Sequence, residues 1–242
     1  MSDTYVLVHG AWHTGAELEA TAAHLREAGH TVHCPTLAGN REGDDRSRIG
    51  LADAIESLVQ FIESKDLREV RLVGHSYGGM VISGASQQVA ARLRRLVYVN
   101  AFVPLPGQCL NDLVPPHYVQ LFDALAGAND NAVMLPFPIW REVFINDADI
   151  ELATSAYARL NPHPYRTFTD KIALAQPMDG LQVGKSYLNC QQDTAMPHSL
   201  PWHPRLSERL GLFRLVECPG SHEMWFSAPK RLAQAIVEAG RD

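Results

Sequence analysis

The chain has 242 residues, of which 46% are hydrophobic and 20% are charged, a composition typical of a globular protein. A chain of this length can bury a large core and still fold as one domain, since α/β domains often run to roughly 200–250 residues. The net charge is −6 and the 21 basic residues are scattered, which argues against nucleic acid as a partner because phosphate binding needs basic patches.

The first residues of the chain and its cysteines predict the cellular compartment of the protein. The first five residues lead straight into an apolar segment, without a basic start or a small-residue cleavage site, so we expect no signal peptide. No apolar run approaches the roughly 18 residues that span a bilayer. No Cys-x-x-Cys pair occurs among Cys34, Cys109, Cys190 and Cys218. We therefore expect reduced thiols in a cytoplasmic protein that has a small-molecule substrate as its partner and no membrane contact, and we leave a homodimer open.

Short apolar strands alternate with helices over the first hundred residues. The patterns predict strands at 5–9, 31–34, 70–74 and 96–100, and helices at 16–28, 51–64 and 78–93. The helix at 51–64 is amphipathic, because Leu51, Ile55, Leu58 and Ile62 recur at helical spacing. This alternation predicts an α/β fold, with a mostly parallel sheet covered by helices on both faces.

The alternation then stops. The segment 103–180 is rich in proline and aromatic residues, with helical fragments near 117–126, 138–145 and 149–160 and no clear strand. Strands resume at 185–190 and 213–217, and a helix at 229–239 closes the chain. We therefore predict a single domain 1–242 with a sheet of about six strands, made of a core (1–102 and 181–242) and a helical cap insertion (103–180).

The candidate nucleophile lies in Gly74-His-Ser-Tyr-Gly78, a Gly-x-Ser-x-Gly motif between a predicted strand and a predicted helix. This motif places its serine, Ser76, on a sharp turn where side chains at the two glycine positions would collide with neighbouring backbone. A serine hydroxyl is a poor nucleophile and needs a base. The sequence thus predicts a serine hydrolase.

The partners of the serine follow in the order acid, then histidine, in proteins with this motif. His222 comes directly after the last predicted strand, and Asp193 follows the strand before it. We predict His222 as the base and Asp193 as the acid that fixes its tautomer and stabilises the imidazolium.

Two backbone N–H groups are needed to hold the oxyanion. The residue after the nucleophile, Tyr77, supplies one, and Ala11 in the loop after the first strand is the predicted source of the other. His9 and His13 straddle a strand end rather than share a helical face, so we expect no metal site there. No phosphate-binding glycine motif occurs, and we expect no cofactor.

Four segments together resemble one branch of the α/β-hydrolase superfamily: 6–13 (Val-Leu-Val-His-Gly-Ala-Trp-His), 74–80 (Gly-His-Ser-Tyr-Gly-Gly-Met), 192–193 (Gln-Asp) and 220–224 (Gly-Ser-His-Glu-Met). The branch holds plant methyl-ester hydrolases of the salicylate-binding type, hydroxynitrile lyases and small bacterial esterases. The resemblance covers the core and implies the α/β-hydrolase fold, the triad Ser76, His222 and Asp193, and Ala11 and Tyr77 as oxyanion donors.

Two positions separate this chain from the lyases of the branch. Those enzymes resemble one another in a threonine just after the histidine of strand one and in a lysine just after the catalytic histidine. Here the two positions hold Gly10 and Glu223, which disfavours cyanohydrin cleavage. A bacterial carbendazim-hydrolysing esterase is similar in length and layout, which suggests a methyl carbamate or amide as an alternative substrate.

We expect hydrolysis of a small aromatic or methyl carboxylic ester through an acyl-enzyme. Three other readings stay open: a lyase or carbon–carbon bond hydrolase using the same triad, a cofactor-free dioxygenase, and a non-catalytic ligand receptor. The residues predicted to line the substrate pocket are Gly10, Trp12, His13, Phe102, Trp140, Phe144, Glu223 and Trp225, with Phe137 as a further aromatic candidate.

Overall fold

A computed structural model describes residues 2–242, so residue 1 of the predicted domain 1–242 lies outside the described residues. The strands are β1 (Thr4–Val8), β2 (Thr31–His33), β3 (Val70–His75), β4 (Leu93–Val99), β5 (Ala132–Val133), β6 (His163–Pro164), β7 (Gly184–Cys190) and β8 (Arg214–Cys218). Six of them form a wholly parallel sheet in the order β2-β1-β3-β4-β7-β8. The predicted α/β-hydrolase fold with about six strands is confirmed.

Nine helices accompany these strands within residues 2–242. They are α1 (Glu19–Glu27), α2 (Leu51–Ser64), α3 (Gly78–Val89), α4 (Pro116–Ala128), α5 (Phe137–Ile139), α6 (Ile150–Tyr157), α7 (Arg166–Thr169), α8 (Met224–Ser227) and α9 (Pro229–Gly240). Shorter 3₁₀ turns lie at Gly15–Leu18, Ala90–Arg92, Leu110–Asp112, Met178–Gly180 and Ser207–Leu210, and a π-helical turn lies at Trp140–Phe144. No helix in this part of the chain is both long enough and apolar enough to cross a membrane.

The sheet is buried on both faces. Successive side chains of a strand point to opposite sides, and in β1 the residues Val6 and Val8 join one hydrophobic cluster while Tyr5 and Leu7 join the other. Helices α2 and α3 contribute to the first cluster, and helices α1 and α9 contribute to the second. Burial on both faces explains why these strands read as unbroken apolar runs.

The boundary between α3 and β4 differs from the prediction. The helix ends at Val89, a 3₁₀ turn follows, and β4 begins at Leu93, whereas the sequence predicted helix to 93 and a strand from 96. The first residues of β4 include Arg94 and Arg95, whose polarity hides the start of the strand in the sequence. Arg95 is accommodated because its guanidinium donates to the carbonyl of Lys185 on the neighbouring strand β7 at 3.1 Å.

The segment 103–180, all of it described, adds no strand to the six-stranded sheet. It holds α4 to α7 and the antiparallel pair β5–β6, so the expectation of no strand here was wrong. Strands of two residues are too short to show an alternating pattern in the sequence. Cap side chains such as Phe122 and Phe144 share one cluster with Val6 and Val8 of the core. We propose that this segment is a helical cap on a core formed by 1–102 and 181–242.

Trp12 fastens this cap segment to the loop that follows β1. Its indole N–H donates to the carbonyl of Val133 at 3.0 Å. The carbonyl of Trp12 accepts the backbone N–H of Asn161 at 2.8 Å and the side-chain amide of Asn161 at 3.0 Å. Trp12 has a φ of +67°, so the loop turns sharply at the residue that holds the cap.

The first turn of α3 packs directly on the carboxyl end of β1. A Cβ atom at Gly78 would lie 2.8 Å from the carbonyl oxygen of Val8 and 2.9 Å from that of His9. A Cβ atom at Gly74 would lie 2.9 Å from the carbonyl oxygen of Gly78. These are backbone atoms, which cannot rotate away, so the contact between strand and helix requires glycine.

We expect Gly78→Ala to lower the free energy of unfolding by about 1–3 kcal/mol, the usual cost of overpacking. The measurement is urea unfolding, with Gly127→Ala in α4 as the control, because nothing lies within 4 Å of a Cβ atom at that position. The control should cause no loss, since alanine is favoured over glycine in helices by up to about 1 kcal/mol. Similar losses in the two variants would contradict the steric role of Gly78.

Candidate active site

Ser76 occupies a strained turn between β3 and α3. Its φ is +52°, in the left-handed region that costs a non-glycine residue about 1–3 kcal/mol. Neighbouring backbone holds it there: the N–H of Ser76 donates to the carbonyl of Val99 at 3.3 Å, and its carbonyl accepts the N–H groups of Gly79 at 3.0 Å and Phe102 at 3.1 Å. The hydroxyl is thereby presented at the carboxyl edge of the sheet.

His222 and Asp193 form a buried hydrogen-bonded pair at the same edge. His222 Nδ1 lies 2.6 Å from Asp193 Oδ2, and both side chains are at most 1% exposed. The second carboxylate oxygen of Asp193 accepts the N–H of Ala195 at 2.7 Å. Because a carboxylate can only accept, Nδ1 carries the proton, and Nε2 is left to take a proton from a nucleophile. His222 and Ser76 line the same cavity.

The charge state of His222 is set by opposing effects. Burial alone lowers its pKa, but the charge and hydrogen bond of Asp193, with a further contribution from the charge of Glu223, raise the pKa above its ordinary value. A base with a raised pKa holds the abstracted proton more firmly. The arrangement suits a group that accepts a proton and later returns it.

Asn100, which sequence reasoning missed, supports the acid. This fully buried residue follows β4 with a φ of +35°. Its Nδ2 donates to Asp193 Oδ2 and to the carbonyl of Cys190, the latter at 3.2 Å, and its Oδ1 accepts the N–H of Cys190 at 2.7 Å. The sequence could have indicated Asn100 as a polar residue at the carboxyl end of a buried strand, next to the strand that precedes Asp193.

His75 and Trp202 enclose the imidazole of His222. His75 Nε2 lies 3.0 Å from the carbonyl oxygen of His222, and the two rings have centroids 4.6 Å apart. The Trp202 ring stacks on His222 at 5.4 Å with an interplanar angle of 15°. Burial and the neighbouring charge of His222 keep the pKa of His75 well below its ordinary value, so His75 is neutral and donates to the carbonyl.

The two predicted oxyanion donors, Ala11 and Tyr77, line the cavity with Ser76. Within residues 2–242, neither of their backbone N–H groups donates to a protein acceptor. The peptide that carries the Ala11 N–H is held by His9, whose Nδ1 donates to the carbonyl of Gly10 at 2.8 Å and whose Nε2 accepts the N–H of Leu37 at 3.1 Å. Burial lowers the pKa of His9 to about 4, so this tautomer persists at neutral pH.

The cavity beside these groups has a volume of about 380 Å³, including its open mouth. Its walls carry no Lys, Arg, Asp or Glu, and they are mainly aromatic and aliphatic. The lining residues are Ala11, Trp12, Ser76, Tyr77, Phe102, Leu110, Val114, Tyr118, Phe122, Phe144, Phe168, Ala195, Met196, Trp202 and His222. The cavity is therefore suited to an uncharged, largely apolar ligand.

Three predicted pocket residues line this cavity: Trp12, Phe102 and Phe144. The other predicted residues lie outside its lining: Gly10, His13, Phe137, Trp140, Glu223 and Trp225. Sequence reasoning missed Tyr118, Phe122, Phe168 and Trp202, which reach the cavity from segments far apart in the chain.

The excluded residues have other contacts. A Cβ atom at Gly10 would lie 2.9 Å from His75 Nδ1, so Gly10 lies against the turn of the nucleophile. Trp225 packs on the His75 ring at 5.6 Å and belongs to the cluster on the opposite face of the sheet. Trp140 is fully buried and lies 5.9 Å from the ring of His13. His13 and Glu223 are buried against each other.

Among residues 2–242, one group of side chains could offer atoms to a metal ion. His75, His222 and Glu223 each present a ligand atom, and these atoms lie within 4.8 Å of one another. Two of the nitrogens already have partners, since His222 Nδ1 binds Asp193 and His75 Nε2 binds the carbonyl of residue 222. These hydrogen bonds occupy one nitrogen of each histidine.

We expect Asn100→Ala to reduce kcat by roughly 100-fold. Asp193 loses a hydrogen-bond donor in this variant, and a small misplacement of a catalytic group has an effect of about this size. The measurement is steady-state kinetics on an aryl ester. Asn129→Ala is the control, since the side chain of Asn129 is exposed and only donates to the carbonyl of Leu125. A rate for Asn100→Ala equal to that of the control would refute the supporting role.

The pH dependence follows from His222. Protonated His222 cannot act as a base, and its pKa is raised, so kcat/KM should fall as the pH drops through a midpoint above 6.5. Asp193→Asn removes the largest effect that raises this pKa, so in that variant we expect the midpoint to move to lower pH. The same variant should lose activity by roughly 10⁴-fold. A pH–rate profile of both proteins measures this, and an unmoved midpoint would contradict it.

The chain is similar to known hydrolases. Residues 5–235 match the model of the alpha/beta hydrolase family. A carbendazim-hydrolysing esterase of Nocardioides sp. is 32% identical over 246 residues, covering 98% of this chain and 99% of that protein. A pyrethroid hydrolase of Sphingobium wenxiniae is 26% identical over 246 residues, covering 96% of this chain and 86% of that protein.

A solved structure agrees with these matches. An extracellular α/β-hydrolase from a Paenibacillus species, described as sharing structural and functional homology with tobacco salicylic acid-binding protein 2, superposes with a TM-score of 0.95. The two sequences are 39% identical, and the match covers 99% of this chain and 100% of that one. The predicted resemblance to this branch is confirmed, and the chain belongs to the α/β-hydrolase family.

Proposed function

We propose that this α/β hydrolase is a serine carboxylesterase that cleaves small, uncharged aromatic or methyl esters through an acyl-enzyme. The observation that carries the proposal is the buried Asp193–His222 pair, whose imidazole lines one apolar cavity together with Ser76. Ala11 and Tyr77 line the same cavity, and neither of their backbone N–H groups donates to an acceptor within residues 2–242.

The proposed reaction has two halves. Ser76 Oγ attacks the ester carbonyl carbon while His222 Nε2 takes the hydroxyl proton, and the oxyanion accepts hydrogen bonds from the N–H groups of Ala11 and Tyr77. Each donor contributes roughly 3 kcal/mol in the transition state. His222 then protonates the leaving alcohol. Water, deprotonated by His222, attacks the acyl-enzyme, and His222 then returns that proton to Ser76 Oγ as the carboxylic acid leaves.

The cavity supports the proposed substrate class. Its lining has no cationic side chain that could pair with a carboxylate substrate. Its aromatic walls, which include Phe102 and Trp202, favour a flat apolar group. The acid formed by hydrolysis becomes charged in an apolar site, which favours its release. A small molecule as partner and a cytoplasmic location stay predictions.

A methyl carbamate is the second candidate substrate. The relative that is 32% identical over nearly the whole chain is a carbendazim-hydrolysing esterase, and carbamate cleavage uses the same attack on a carbonyl. A cyanohydrin is less favoured, because the buried Glu223 stands where the lyases of this branch have a lysine. A receptor role predicts binding without turnover.

The test is a substrate panel on wild type and Ser76→Ala, with Ser155→Ala on the exposed face of α6 as the control. The panel holds the methyl ester of an aromatic acid, an aryl acetate, a benzimidazole methyl carbamate and a cyanohydrin. We expect turnover of the esters, no cyanide release, and a loss of up to about 10⁶-fold in Ser76→Ala, the size seen when a nucleophile of this kind is removed. Undiminished turnover in Ser76→Ala, or tight binding without turnover in wild type, would overturn the proposal.

A further inference from the structure

A second acid–histidine pair lies buried near the triad and outside the cavity. His13 Nε2 is 3.2 Å from Glu223 Oε2, and both side chains are only 1% exposed. Within residues 2–242, neither atom has a hydrogen-bond partner of good geometry. The contact becomes an ion pair when His13 is protonated, in a place where a lone charge would be costly.

The other nitrogen of His13 reaches the loop of the oxyanion donor. His13 Nδ1 lies 2.6 Å from the carbonyl oxygen of Ala11. Both ring nitrogens thus face acceptors, a carbonyl on one side and a carboxylate on the other, which suits an imidazolium that carries a proton on each nitrogen. Burial alone lowers the pKa of His13, but the contact with Glu223, the charge of Glu17 and the hydrogen bond to the carbonyl of Ala11 together raise the pKa above its ordinary value.

Glu223 comes from the opposite side of the site. It follows the catalytic His222 directly and precedes α8, and its carbonyl accepts the N–H of Phe226 at 2.9 Å, which fixes the backbone at this point. One chain of contacts therefore runs from the loop of the base, through Glu223 and His13, to Ala11. The two loops it joins are more than 200 residues apart in the sequence.

We propose that the Glu223–His13 ion pair is a positioning device that sets the oxyanion donor Ala11 against the base His222, and that it works only while His13 is protonated. This inference rests on the proposed esterase function. Neither residue lines the cavity, so the pair acts through Ala11 and His222 rather than on substrate.

The charged neighbours of His13 are consistent with this role. Glu17 also faces the ring, but its carboxylate accepts the Thr14 hydroxyl at 2.7 Å and lies 3.5 Å from the guanidinium of Arg159. His9 and His75 have lowered pKa values and are neutral. Glu223 is thus the acid in contact with His13.

His13 and His222 should differ in pKa. His13 faces an acceptor at both nitrogens, whereas the triad gives His222 an acceptor at Nδ1. His13 should keep its proton to higher pH, so the rate should rise with deprotonation of His222 and fall again with deprotonation of His13. This predicts a bell-shaped pH–rate profile.

The first experiment compares Glu223→Gln and Glu223→Asp with wild type on an aryl ester. We expect Glu223→Gln to lower kcat 10- to 100-fold with KM within twofold, because the cavity is untouched, and to move the basic limb to lower pH. Glu223→Asp keeps the charge and should hold the basic limb closer to wild type. The control is Glu27→Gln, which removes the acid of the exposed His24–Glu27 pair, 2.9 Å apart.

The second experiment needs no activity. Nitrogen NMR of wild type at pH 7 should show both ring nitrogens of His13 protonated, assigned by the loss of that signal in His13→Gln. A neutral His13, or kinetics of Glu223→Gln equal to those of Glu27→Gln, would overturn the inference. A wild type that hydrolyses no ester would instead overturn the proposed function, so the two failures are distinguishable.

Discussion

The hydrogen bond between Asp193 and His222 is the interaction on which the rest of the site depends. It joins the loops that follow the last two strands of the sheet, and it selects the tautomer that leaves Nε2 free for Ser76. Because these strands are parallel and adjacent, their carboxyl ends bring the two loops together, and the N–H of Gln192 donates to the carbonyl of Gly220 at 3.0 Å between them. Asn100, at the end of the next strand, keeps the acid in place.

Around this bond, histidines are distinguished by their surroundings. His9 and His75 are buried beside carbonyls or other imidazoles and remain neutral, which makes them directional hydrogen-bond donors. His13 and His222 are each buried beside a carboxylate, which stabilises the proton. The imidazole is therefore a neutral hydrogen-bond donor at positions 9 and 75. At positions 13 and 222 it faces a carboxylate, which raises its affinity for a proton.

The sequence was informative where chemistry follows local structure. Ser76 directly follows β3, and Asp193 and His222 lie three and four residues after the ends of β7 and β8, so apolar runs and a short motif were enough to predict that they lie at the same edge of the sheet. The sequence did not reveal contacts between distant segments, because no motif near Trp202 or Tyr118 indicates that these two residues line the same cavity. Glu223 was predicted to face that cavity because it adjoins His222. In a tight turn, however, neighbouring side chains point in different directions, and burial with His13 determines where this one lies.

Trp12 joins the cap to the proposed oxyanion site. The indole N–H donates to the carbonyl of Val133 and the carbonyl of Trp12 accepts the N–H of Asn161, while the preceding residue is Ala11, the proposed oxyanion donor. Any displacement of this segment would be transmitted through Trp12 to the short loop that carries the Ala11 N–H. In the proposed mechanism, the position of the cap and the position of this N–H group are therefore coupled through a single residue.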